Sequence, residues 1–316
     1  MRREIVRTVH SLSRMGQRGV SETDYEVIVI DNGSPEPLTR DLFPADFANL
    51  RVVAPANPHP SPARALNHGA SLAQGDIIVS MIDGARMASP GCVRWMIKAF
   101  DLQPDAVGIV NAWHIGPQVQ NKSVAKGYNQ TVEDRLFDTI DWRGNGYSLF
   151  DISVELDPSS GPSAWFKPVA ESNFIGVSRA DYAALNGFDE AFSSAGGGAV
   201  NLDFFRRCVE DLERPVVSII GEGTFHQFHG GVSTNVEEKE HPWTAIHDEY
   251  RRIRRKEWAC PIYEPILLGQ MNAHSRDRFA RSRNIITNTL RPARMGHRLN
   301  EAVKILKGSY TYHPVE

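Results

Sequence analysis

The amino-acid sequence predicts an α/β protein: a doubly wound, mostly parallel sheet followed by a helical C-terminal extension. Three observations predict it. Short β-branched runs alternate with amphipathic helical stretches over residues 1–116, which is the grammar of a parallel sheet. Two of those runs, YEVIVID and DIIVSMID, end on an aspartate ahead of a glycine-containing turn. Beyond about Val236 the pattern becomes helical and charged.

The elements follow in order. Ile5, Val9 and Leu12 recur at helical spacing behind a basic start, which reads as an amphipathic helix. YEVIVID is then a short buried strand. Leu50 to Ala54 forms a second strand, and after Pro-rich punctuation Ala63 to Ala73 forms a helix ended by Gly75. DIIVSMID is a continuous apolar strand. Ser89 and Pro90 start the next helix as N-cap and first helical residue, with Val93, Met96, Ile97 and Phe100 as its buried stripe. AVGIVNAWHI is another strand. From Pro117 to about Pro168 the pattern is polar, aromatic and Gly-rich, long for a bare connection. Regularity returns with FIGVSRADYAALNGFDEAF, where Ser178 and Asp181 form a capping box for a helix closed by Gly187. PVVSII is the last strand, leading into GEGTFHQFHGG. The basic run RRIRRKEW, Arg251 to Trp258, reads as a solvated helix face.

Composition excludes more than it assigns. With 316 residues, 41% hydrophobic and 23% charged, the chain can bury one large core. A formal net charge of −3 offers no broad attraction for nucleic acid or an anionic membrane. Cys92, Cys208 and Cys260 are scattered without CxxC spacing, which argues against a disulfide framework or a structural zinc site. The start, MRREIVRTVHSLSRMG, lacks the apolar core of a signal peptide, and no window approaches a membrane span. A cytoplasmic protein is expected, with peripheral contact at the inner face of the membrane left open.

Asp31 and Asp83 each cap a predicted parallel strand, at the carboxyl edge where α/β sheets bind ligands. The bland reading of Asp31 is an Asp-Asn-Gly turn bonded to its own backbone. No GxGxxG and no GxxxxGK[ST] follows any strand, so dinucleotide-dependent hydride transfer and P-loop chemistry recede.

Taken in order, YEVIVIDNGS, ARALNHGASLAQGDIIVSMIDGARMASPG and FIGVSRADYAALNGFDEAF resemble the inverting family 2 glycosyltransferases of the GT-A fold, over roughly Met1 to Ser233. The resemblance implies a GT-A domain over 1–235, with a donor half of about 1–116 and an acceptor half of about 117–235, and a helical extension over 236–316. It implies that Asp31 holds the nucleotide base, that Arg64 and Asn67 lie near base and diphosphate, and that Asp83 lies near ribose and metal. Asn32, Ser34 and Gly84, in the turns behind the two aspartates, complete the donor set. Many GT-A enzymes place a metal-binding histidine after the last strand, and His229 matches best. Glu222 and His226 are further candidates, although strand alternation puts His226 and His229 on opposite sides, so that only one reaches the crevice.

The chain departs from the family pattern in three places. It starts in the helix that should follow the family's first strand, so a central strand is expected to be missing, and a truncated gene product of low stability is expected to result. Ala85 stands where the DxD motif has its later aspartate. Val200 and Asn201 stand where the family has the Glu-Asp pair of its catalytic base, leaving Asp203 as the nearest acid. Asp203 falls in the first turn of a helix with the apolar stripe Leu202, Phe205, Val209 and Leu212, where the helix dipole alone accounts for an acid.

The expected reaction is sugar transfer from a nucleotide-sugar, UDP-linked as in most of the family, to a glycan, lipid or other acceptor hydroxyl. The mechanism expected is inverting single displacement with a carboxylate or histidine as base, Asp203 being the candidate carboxylate, and Mn²⁺ or Mg²⁺ held by Asp83 and His229. Two alternatives stand beside it: a nucleotidyltransferase-like enzyme, and a degenerate protein that binds sugar nucleotides without turnover.

Overall fold

The computed structural model describes residues 1–155, 165, 168–276 and 278. The first half follows the predicted alternation: α1 (Arg2–Leu12), β1 (Val27–Ile30), β2 (Leu50–Val53), α2 (Ala63–Leu72), β3 (Ile77–Met81), β4 (Arg86–Ala88), α3 (Cys92–Leu102) and β5 (Val107–Ile115). Helix α1 buries Ile5 and Val9 against Val29, Leu50, Phe43 and Phe47, as its apolar spacing requires.

The stretch predicted as irregular contains α4 (Gln120–Val124), α5 (Gln130–Phe137) and β6 (Ser153–Glu155); the segment DPSSGPSAWF lies almost wholly outside the described residues. Next come β7 (Phe174–Ser178) and α6 (Arg179–Ala184). Ser178 caps α6 by accepting from the Asp181 amide, but the Asp181 carboxylate turns to Arg214 instead of closing the capping box. Helix α7 (Val200–Arg206) is followed by β8 (Val216–His226), α8 (Trp243–Arg254) and β9 (Ile266–Gly269). The C-terminal stretch is therefore not helical throughout. The apolar run Ile266–Gly269 pairs in parallel with Val217–Ile220, because backbone groups on an open strand edge gain their partners that way. Residues 279–316 of the predicted helical extension lie outside the described residues.

Seven strands form one mixed sheet in the order β3-β7-β5-β8-β4, with β6 added on β5 and β9 on β8. Strands β3, β5, β8 and β9 point one way, and β4, β6 and β7 run against them. The two predicted segments PVVSII and GEGTFHQFHGG share one 11-residue strand, β8, whose register on β5 shifts between Val110 and Ala112. Gly221 lies in this stretch at φ +83°, where a Cβ would meet the Gln270 carbonyl oxygen at 2.1 Å, so only glycine fits.

Strands β1 and β2 do not join this sheet. They pair only with each other, in parallel. Asp31 and Asp83 are thus carried by two separate sheets and not, as expected, by one. Between β1 and β3 lies a cavity of about 1870 Å³, walled by residues of both strands and by α1, α2 and α3. Among the described residues no helix is long and apolar enough to cross a membrane.

Candidate active site and metal centre

The cavity reaches the carboxyl ends of β1 and β3, and Asp31, Asn32, Ser34, Asp83, Gly84 and His229 all line it. The Asp31 oxygens accept from the backbone amides of Ser34 (3.0 Å) and Leu38 (2.8 Å). Burial alone would raise the Asp31 pKa, but these amides hold it below the usual carboxylate range. Asp31 therefore shapes the turn it stands in as well as walling the site. Asn32 is held through both side-chain atoms by the His59 backbone.

Asp83 sits just past the end of β3 at φ +84°, a conformation that an L-residue adopts only where its surroundings enforce it. Its Oδ1 accepts from the Ala85 amide at 2.9 Å, which frees Oδ2 to face two imidazoles. His226 Nε2 is 3.0 Å and His229 Nε2 3.1 Å from that oxygen, and the two nitrogens are 3.2 Å apart. Burial would push the Asp83 pKa up, yet the paired histidines bring it well below the ordinary value. Ala85 is fully buried and apolar, and contributes no ligand.

Both histidines reach this point, against the expectation that only one would. His226 is the last residue of β8, and the chain then leaves strand geometry, so alternation no longer governs His229. Asn235 Oδ1 accepts from the amides of His229, Gly230 and Gly231 at 3.0, 2.9 and 2.9 Å, which folds the turn back and aims His229 inward.

A second layer fixes the His226 tautomer. Asn235, oriented by those three amides, donates through Nδ2 to Gln120 Oε1 at 2.7 Å. Gln120 Nε2 donates to the carbonyls of Ile115 (3.3 Å) and His226 (3.0 Å). Its Oε1 is thus the atom that faces His226 Nδ1, at 2.8 Å, and Nδ1 must carry the proton. Nε2 is left with a bare lone pair. Burial, with Arg86 nearby, pulls the His226 pKa down to about 4, so the ring is neutral at pH 7. A carboxylate oxygen and imidazole nitrogens converging within 4.8 Å form a ready-made cation site.

Four predicted residues do other work. Asp203 is fully buried and does not line the cavity. Its oxygens are taken by Arg207 Nε (2.8 Å) and by Arg254 Nε and Nη2 (both 2.6 Å). This ion cluster ties α7 to α8, and with both oxygens occupied and no place on the cavity wall Asp203 is not positioned to take an acceptor proton; its catalytic assignment is corrected accordingly. Glu222 is likewise fully buried, accepting from Ser89 Oγ, the Gly91 amide and Tyr147 Oη. It anchors the start of α3, away from Asp83, His226 and His229. Arg64 pairs with Glu190 at 3.4 Å and is half exposed. Asn67 bonds Tyr182, Phe188 and Glu190. Neither lines the cavity, because the outward face of α2 packs on the turn after α6.

Three functional candidates escaped the sequence reading. Gln120 falls in the stretch without pattern. Arg86 lines the cavity, almost wholly buried, with Nη1 lacking a partner; its place after IDGA was the only signal. Glu171 lines the same cavity, accepts from Asn201 Nδ2 and interacts electrostatically with Arg86.

Comparison with known proteins places this geometry. Residues 2–154 match the family described as glycosyl transferase family 2. No curated protein sequence matches the chain. Among solved structures, S. aureus TarS 1–349 is 13% identical, with 96% of this chain and 75% of that chain covered and a TM-score of 0.46. Mannosyltransferase PcManGT from Pyrobaculum calidifontis, in complex with GDP-Man and Mn²⁺, is 13% identical over 95% of this chain and 70% of that chain, with a TM-score of 0.46. GalNAc-T7 with UDP, GalNAc and Mn²⁺ is 12% identical over 96% of this chain, which spans 52% of that chain, with a TM-score of 0.50. Residues 2–154, just under half of the chain, thus resemble glycosyl transferase family 2, and the fold is of the GT-A type.

Proposed function

We propose that the chain transfers a sugar from a nucleotide-sugar to an acceptor hydroxyl by inverting single displacement, with a divalent cation held by Asp83, His226 and His229. The observation that carries this reading is the convergence of Asp83 Oδ2 with the bare Nε2 of His226 and Nε2 of His229, with Asp83 and His229 lining the cavity. One oxygen and two imidazole nitrogens suit Mn²⁺ better than Mg²⁺, which prefers oxygen alone. When bound, the cation supplies charge neutralisation for the departing diphosphate.

The remaining roles fall to the chain. Asp31 and Asn32 wall the nucleotide end, and Arg86 places a fixed positive charge in the cavity wall. Glu171 takes the acceptor proton. It supports that role by its place in the cavity wall and its hold on Asn201, the residue standing where the family has its acid. Trp243 lines the acceptor side, about half exposed and stacked at 4.2 Å on His241. Its ring offers an apolar face to a saccharide acceptor.

Titration of Mn²⁺ by calorimetry, with and without UDP, tests the reading together with a screen for nucleoside diphosphate release from nucleotide-sugars. Mn²⁺ should bind at least tenfold more tightly with UDP present, because three protein ligands leave positions for phosphate oxygens. Equal affinity in both titrations refutes the metal assignment. Release of pyrophosphate in place of nucleoside diphosphate would select nucleotidyl transfer, and binding without product would select a non-catalytic protein.

A further inference from the structure

Phe228, the residue before His229, is held through both of its backbone groups. Its amide donates to Glu133 Oε2 at 2.7 Å, and its carbonyl accepts from Arg3 Nη2 at 2.8 Å. The same nitrogen of Arg3 donates to Glu133 Oε1, also at 2.8 Å, so the carboxylate, the guanidinium and residue 228 close one ring of hydrogen bonds. Glu133 is fully buried. The Phe228 ring stands edge-on to Tyr128 with centroids 5.9 Å apart, and Tyr128 Oη lies 3.2 Å from Glu133 Oε2 and 2.8 Å from the Ile115 carbonyl at the end of β5.

Arg3 has no donor to spare. Its Nε donates to Glu4 at 2.7 Å, and its Nη1 donates to the Gln130 carbonyl and to Asp134 at 3.1 and 2.9 Å. With the two bonds of Nη2, these use all five N–H groups of a guanidinium. A lysine lacks the planar fork and cannot make the set. A buried ion pair is a weak source of stability, because desolvation offsets its attraction. What this one supplies is direction.

That direction reaches His229 through one peptide plane. The unit joining residues 228 and 229 is held at its carbonyl by Arg3 and at its N–H by Asn235 Oδ1, so both ends of the plane that leads into His229 are fixed. Helix α1 holds the other ligand-bearing loop too. Thr8 Oγ1 donates to the Gly84 carbonyl, next to Asp83, at 2.9 Å and accepts from Gln227 Nε2 at 3.3 Å. One helix thus spans the loops that leave β3 and β8 and meet where Asp83, His226 and His229 converge.

Resting on the cation reading above, we propose that Glu133 and Arg3 are positioning residues for His229. They set the 228–229 peptide so that His229 Nε2 stands against Asp83 Oδ2 and His226 Nε2 before a cation arrives. Neither residue lines the cavity, and both act through the backbone of Phe228. Without them the cation has to order the turn itself, and its affinity falls although every ligand remains.

The test is calorimetric titration of Mn²⁺, with UDP present, on the full chain carrying Glu133→Leu, Glu133→Gln, Arg3→Met, or Glu133→Leu with Arg3→Met, each well below its melting temperature. Glu133→Leu and Arg3→Met should each weaken binding by about tenfold or more, and the double variant by no more than the worse of the two, as for two parts of one unit. Glu133→Gln keeps a carbonyl for the Phe228 amide and should bind within about threefold of wild type. Arg3 is only partly buried, so Arg3→Met carries the test should Glu133→Leu fail to fold. Imidazole NMR spectra of the weakened variants should keep the His226 Nδ1–H tautomer, while amide exchange at residues 229–231 speeds up. Folded Glu133→Leu and Arg3→Met proteins that bind Mn²⁺ within about twofold of wild type overturn the proposal. So does equal weakening by leucine and glutamine, or a changed His226 tautomer, each of which marks a general structural loss. If the wild type binds no Mn²⁺, the cation reading fails and exchange decides the positioning by itself: faster exchange at 229–231 in the variants upholds it, and unchanged exchange overturns it.

Discussion

Replacing Gln120 by leucine should weaken metal binding without touching a metal ligand. In the wild type, Gln120 Oε1 accepts the His226 Nδ1 proton at 2.8 Å in a fully buried setting. Without that acceptor the ring can take the other tautomer, in which Nε2–H donates to Asp83 Oδ2, 3.0 Å away. That bond must then break before a cation can enter. Losing the partner that orients a metal-bound histidine typically costs 10–100-fold in affinity, about 1.4–2.7 kcal/mol. Leucine also takes the Gln120 donor from the His226 carbonyl, about 1–3 kcal/mol, while the Ile115 carbonyl keeps Tyr128 Oη, so a lower melting temperature is expected too. Calorimetric titration of Mn²⁺ with UDP present, run well below both melting temperatures, reads the affinity on folded molecules. A folded Gln120→Leu protein that binds Mn²⁺ within twofold of wild type would refute the tautomer argument.

Further outcomes are expected at four other positions. Glu171→Gln should lower kcat by about 10²–10⁴ with UDP affinity unchanged in calorimetry; retained kcat would return the base to another residue. Trp243→Ala should raise the acceptor KM at least fivefold while leaving the rate of donor hydrolysis alone, and an unchanged KM would place the acceptor elsewhere. Asp203→Ala leaves Arg207 without a carboxylate and Arg254 with Asp189 alone, and should cost about 3–5 kcal/mol of a total of about 5–15 kcal/mol, read in denaturant melts, with kcat per folded molecule preserved. Glu133, buried and bonded to the Phe228 amide, Arg3 and Tyr128, has its pKa pushed up by burial from 4.5 to about 7. The folded state therefore holds this proton more tightly than the unfolded chain. That contribution to stability is complete below pH 4.5 and is lost as pH rises through about 7, worth about 3 kcal/mol at 1.36 kcal/mol per unit. Glu133→Gln should flatten the melting temperature between pH 5 and 8, and an unaltered slope would contradict the assignment.

Much of the fold was legible because its elements carry their own local pattern. Val107–Ile115 is buried on both faces, and Val27–Ile30 and Ile77–Met81 are partly buried; strands of this kind write themselves as near-continuous apolar runs. The direction of β7 was not legible, since FIGVS reads the same whichever way its neighbours run, and it pairs antiparallel with both β3 and β5. Strand β9 was hidden for another reason. ILLG is four residues long, too short to separate from a helix turn by periodicity. Only the open edge of β8 decides its state.

The site divides along the same line between local and distant causes. Asp83 was legible because a strand-terminal aspartate before Gly84 is a local signal, and His229 because it stands in a histidine- and glycine-rich turn. Asp203 misled because its helix dipole is local while its two guanidinium partners, Arg207 and Arg254, come partly from 51 residues away. The pairing of His226 with His229 needed Asn235, whose side chain ends the strand's alternation by gathering three amides. Gln120 then needed both. Its 106-residue separation from His226 leaves no mark in the sequence, yet its orientation fixes the tautomer that gives the site an open lone pair. Residues that bear the chemistry could be read from short motifs, whereas those that fix its protonation state follow only from the tertiary hydrogen-bond network. A metal site judged by its ligands alone would therefore miss the group on which the affinity of His226 depends.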